Sequence, residues 1–242
     1  MRLVTITLWI LVGTALTGGI YWSFLITPES TIWSLAASAL LLLAAGFLLA
    51  LTVSGALLGW QDGVSSSLFR AAAAGVPASI PAALVAGLIW WLAGAATARV
   101  TIYSGPITAW FIAAFGWDDV SWLFTGISWL AMWLKWVVAP MLALALMAGI
   151  LTGGWRELAG ATWLKRALAP VPLVTATLLF AVLVAAPWIY LAPWRPGGLP
   201  PTSLELAFVI GKLAVTALLM AVGVALIIRQ ATWTTSTPSS AN

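Results

Sequence analysis

Apolar runs of hydrocarbon length dominate this sequence: residues 3–26, 32–58, 76–98, 122–151, 168–192 and 203–228 are each about twenty or more residues long and almost free of charge. At about 1.5 Å of helical rise per residue, each run reaches across a hydrocarbon layer of about 30 Å. The expected fold is therefore all-α, a polytopic membrane protein of six transmembrane helices arranged as consecutive hairpins. Composition agrees, because 7% of the 242 residues are charged, against about 25% in a soluble domain. The first run exceeds the core of a signal peptide and is followed by no small-x-small cleavage pattern, so it is read as a retained helix.

Polar and proline-rich breaks separate the runs. Thr27-Pro28-Glu29-Ser30 ends the first, and Pro193 to Pro201 divides the fifth from the sixth. Residues 99–120 form the longest connection; its apolar stretch 107–115 is too short to span and is expected at the interface, with Asp118 and Asp119 marking its aqueous edge. Pro140 falls inside the fourth run, where a kink is expected and the carbonyl it frees must find another partner. Residues 1–229 read as one transmembrane domain and 230–242 as a disordered Thr/Ser-rich tail, with no extramembrane domain at either end.

Basic residues orient the chain, since Lys and Arg are retained on the cytoplasmic side. Arg2, Arg70, Arg156, Lys165, Arg166 and Arg229 fall on one side, Arg99 and Arg195 on the other. Both termini are thus expected in the cytoplasm, with the chain in the cytoplasmic membrane. Of the seventeen tryptophans, Trp22, Trp33, Trp60, Trp117, Trp155, Trp188, Trp194 and Trp233 lie near run ends and read as an interfacial belt.

The two cytoplasmic connections resemble each other at a fixed offset. Gly59-Trp60 matches Gly154-Trp155 and Val76-Pro77 matches Val171-Pro172, which suggests a parallel internal repeat over 32–98 and 127–192. Both connectors, 61–75 and 156–169, read as short amphipathic surface segments, held by anionic lipid or docking a partner. Gly13, Gly18, Gly46, Gly55 and Gly149 read as positions of close helix approach, as does the pair Gly18-Gly19.

Little chemistry is available. With no cysteine and no histidine, disulfides, thiolate or imidazole metal sites, His-ligated haem and Ser-His-Asp catalysis are excluded. The ten basic residues are scattered and form no nucleic-acid footprint. Lys135 and Lys212 are the charges that fall well within runs, and a buried ammonium is a functional candidate by default. Facing one cavity, they would hold a phosphate or carboxylate between them. The simpler account has each lysine snorkel to the headgroups or pair with a carboxylate, Glu205, Asp118 and Asp119 being the candidate partners. Ser128, seven residues before Lys135, gives only a weak serine-lysine pattern. Asp118-Asp119 otherwise reads as a hydrated loop, and Glu205 as a carboxylate at a helix N-terminus.

The expected function is that of a non-enzymatic multi-pass protein, a scaffold or accessory subunit that meets other membrane chains and uses no cofactor or metal. The alternative is a carrier or permease for an anionic or amphiphilic compound, with Lys135 and Lys212 as its anion site.

Overall fold

The computed structural model describes residues 2–28, 30–61, 68–117, 119–160, 162–194 and 203–233. All regular structure among them is helical. Six helices are long and apolar enough to cross a membrane: α1 (Arg2–Ile26), α2 (Ile32–Gln61), α3 (Leu68–Ile102), α5 (Ser121–Gly153), α7 (Pro170–Leu191) and α8 (Ser203–Trp233). Two shorter helices, α4 (Ser104–Phe115) and α6 (Thr162–Ala167), lie between them. The tail beyond residue 233 and Asp118 lie outside the described residues.

The core gathers where the helices that begin and end the chain come together. Ile6 and Ile10 of α1, Leu57 of α2, Ala82 of α3, Leu146 and Met147 of α5 and Ile228 of α8 form one buried cluster. This region is called the terminal end below, and the opposite one the far end. α5 is central at the terminal end, with Met141, Leu142, Ala145 and the run Leu146–Ile150 all buried. Ala131 is the single buried residue of its first part, Ser121–Trp133. The most extensive contacts join α1 to α2, α3 to α5 and α7 to α8.

Bare backbone makes the closest approaches possible. A Cβ at Gly55 would lie 2.6 Å from the Trp9 ring, one at Gly75 2.8 Å from Leu151, and one at Gly223 2.8 Å from Leu183; Gly13 leaves room for Thr52 in the same way. Lipid tails are as apolar as leucine, so such contacts, rather than hydrophobicity, hold helices together in a bilayer. Gly18, Gly19 and Gly46, expected to be contact positions, border open space, where an added methyl would meet nothing within 4 Å. Gly18 and Gly19 lie in the far half of α1 and Gly46 at the middle of α2, on faces that nothing covers.

Two boundaries also differ from expectation. The segment 68–75 is the first part of α3, with Leu68 and Ala72 buried, and a 3-10 turn at Val76–Ala78 carries the chain past Pro77. Beyond residue 98, α3 runs on to Ile102, and most of the expected 99–120 connection is α4, which buries none of its residues. Gly116 closes α4 at φ 66°, a left-handed conformation that glycine adopts without a side-chain penalty.

Candidate functional site

Lys135 is fifteen residues before Ile150 in α5 and Lys212 sixteen before Ile228 in α8, so each lies about 23 Å along its own helix from a residue of the terminal core. Trp22 is sixteen residues past Ile6, a similar distance along α1. Arg2 lies about one turn beyond Ile6 and Arg229 directly follows Ile228, so about 30 Å of helix counted from those arginines, the thickness of a hydrocarbon layer, reaches Trp22 on α1 and just passes Lys212 on α8. An ammonium and an indole both favour that boundary, where headgroups begin.

Lys212 is half-buried, and its ammonium donates a hydrogen bond to the Trp194 carbonyl at 3.0 Å. The Phe208 ring lies 5.9 Å away, itself 5.5 Å from the Trp194 ring. Trp194 follows the end of α7, where carbonyls lack helical donors. Lys212 therefore ties α8 to the chain leaving α7. Its bond goes to this carbonyl and not to Glu205, which is half-buried in the first turn of α8.

Lys135 is built differently. The stretch Leu134–Val138 is π-helical, and the Ala139 N–H reaches back to the Leu134 carbonyl. In that register the next donor would come from residue 140, a proline. The Lys135 carbonyl thus loses its α-helical donor to the wide turn and its π-helical donor to Pro140. Trp90 of α3 replaces them, its Nε1–H donating to the Lys135 oxygen at 2.8 Å. The same indole lies under the Lys135 ammonium at 5.7 Å and meets Trp136 edge-on at 4.9 Å. The ammonium lies over Gly94, one turn along α3, where a Cβ would be 3.6 Å from Nζ, at ordinary contact. The nearby hydroxyl of Ser128 donates to the Phe124 carbonyl, and that of Thr97 to the Ala93 carbonyl.

The neighbours of the two lysines share no residue. Asp119 accepts the Ser121 N–H at 2.8 Å just ahead of α5, and bonds from the Ser121 backbone and side chain hold its carboxyl below the ordinary aspartate range. A cavity of about 290 Å³ opens at the other end of the molecule, between α1, Gly55 and Leu68, and is almost wholly apolar. Among the described residues, no group of three or more acidic side chains is placed to hold a metal ion.

Several tryptophans bridge helices rather than belt the membrane. Trp9 donates to the Thr52 carbonyl at 2.9 Å, linking α1 to α2, and Trp133 donates to the Thr177 hydroxyl at 3.0 Å, linking α5 to α7. Trp60, assigned to the belt by its position near a run end, donates to the Ala225 carbonyl at 3.0 Å and carries the Arg229 guanidinium 5.5 Å from its ring. Trp22, Trp33 and Trp188 are exposed, as belt residues would be. The signal for the bridges was in the sequence: an indole N–H inside a hydrocarbon span has no water to bond and must find a protein acceptor.

No family model, curated protein or solved structure matches the chain.

Proposed function

We propose that this chain is a non-enzymatic multi-pass membrane subunit that associates laterally with other membrane chains through its far end. Its spans are three consecutive hairpins, α1–α2, α3–α5 and α7–α8, in a cell membrane with both termini cytoplasmic. The pairing is supported by these neighbours having the most extensive contacts, the orientation by the excess of basic residues at the terminal end.

One observation carries the association reading: the chain satisfies its own packing at the terminal end and leaves it unsatisfied at the far end. Gly18, Gly19 and Gly46 have open space beside them, and α4 is apolar with no buried residue. Small residues on an open helix face are what close helix approach in lipid requires. The separate surroundings of Lys135 and Lys212 weigh against a carrier that would need both on one ligand.

A photo-crosslinking residue at position 46 or 18, in the protein expressed in its native membrane, tests the reading. A discrete cross-linked band from position 46, absent from a buried control at position 146, is expected. A chain that cross-links only to lipid, and that emerges from mild detergent alone and monomeric, overturns it.

A further inference from the structure

We infer that Lys135 and Trp90 form a seat for one phosphate group at the far boundary of the hydrocarbon, the phosphate being that of a membrane lipid. The inference stands apart from lateral association, since it concerns a site on the α3–α5 pair alone.

The contrast with Lys212 carries it. Two ammonium groups are each half-buried on a span, yet among the described residues only that of Lys212 has a hydrogen-bond acceptor. Around Lys135 the described residues supply an aromatic face and the bare backbone of Gly94, but no carboxylate or carbonyl within bonding distance of Nζ. Ser128 and Thr97 have committed their hydroxyl protons to backbone carbonyls. An ammonium removed from water costs several kcal/mol unless its charge and its three donors are met.

The site is also preorganised. Pro140 and the π turn leave the Lys135 carbonyl to Trp90, so the backbone that carries the lysine is tied to the ring that lies beneath its ammonium. Trp136 braces that ring from the edge. The lysine therefore gives up little freedom when an anion arrives, and the ammonium rests on bare backbone at Gly94. At the boundary of the hydrocarbon, the abundant anion with several acceptor oxygens is a lipid phosphate, and an ammonium there accepts it through charge-assisted bonds.

The test uses the full chain in maltoside micelles, with native mass spectrometry counting retained phosphatidylglycerol across a lipid titration. Wild type should retain one molecule tightly. Lys135→Met should weaken that binding about five- to tenfold. Gly94→Leu, which displaces the ammonium from its place while keeping the charge, should weaken it similarly. Lys212→Met should leave it unchanged, and Lys135→Arg should restore most of it. Thermal melts of each variant confirm that losses of binding are not losses of fold. Displacement of the lipid by millimolar inorganic phosphate would reassign the seat to a soluble phosphate and overturn the lipid assignment. Equal weakening by Lys135→Met and Lys212→Met, or none with a folded Lys135→Met, would overturn the site itself.

Discussion

α5 contains both conditions found in this molecule. From Val137 to Ile150 most of its residues are buried, among α1, α3 and α8 and beside α6, whereas Ser121–Trp133 buries one residue. Both parts are apolar, so hydropathy does not separate them. At the terminal end, Gly13, Gly55 and Gly75 meet side chains of neighbouring helices, while indole N–H groups find acceptors on neighbouring helices both there and beside Lys135. At the far end, glycines face open space and the aromatic rings of Trp110, Phe111, Phe115 and Trp117 contact one another. In lipid, shape and hydrogen bonding decide which surfaces close, because burying a leucine gains little when the solvent is also hydrocarbon.

The sharpest way to break this contrast is to place one side chain at both ends. Gly55→Leu drives a branched chain into the Trp9 ring and should destabilise the bundle by about 1–3 kcal/mol or more, as overpacking does. Gly46→Leu should change nothing in the isolated chain. Reversible unfolding in mixed SDS micelles reads both, and an equal loss at the two positions would erase the distinction.

A smaller effect should follow from removing one hydrogen bond while retaining a ring. Trp60→Phe deletes the donor to Ala225 and should cost about 0.6–1.7 kcal/mol, the range found for interhelical bonds in membranes. Trp33→Phe, at a residue 82% exposed, should be neutral in the same assay.

The smallest effect concerns acid. Because Ser121 lowers the Asp119 pKa in the folded chain, the aspartate contributes stability above the ordinary carboxylate range and loses it as pH falls through the lowered value. Wild type should therefore melt slightly lower in acid than at neutral pH. Asp119→Ala should lack that component, as scanning calorimetry in detergent would register.

The six spans were legible because run length against bilayer thickness is a direct comparison. Lysine depth was less so, since α3 and α5 extend beyond one bilayer thickness at 35 and 33 residues, and counting from a run's end does not fix where such a helix enters the hydrocarbon. The contact glycines were half legible. Gly13 and Gly55 fit their assignment and Gly46 does not, because a small residue permits approach without specifying which helix approaches. Trp90 as the companion of Lys135 was concealed by distance in sequence, though Pro140 announced that a carbonyl nearby would need a donor.

The wide turn at Leu134–Val138 amounts to one extra residue threaded into α5. It offsets the angular phase of the helix on its two sides by about 100°. Deleting a single residue there would let the upper segment swivel into ordinary register and present a different row of side chains to α3. The insertion thus acts as the indexing notch of the helix, and shortening it by one would re-aim the far end while leaving the terminal core as it stands.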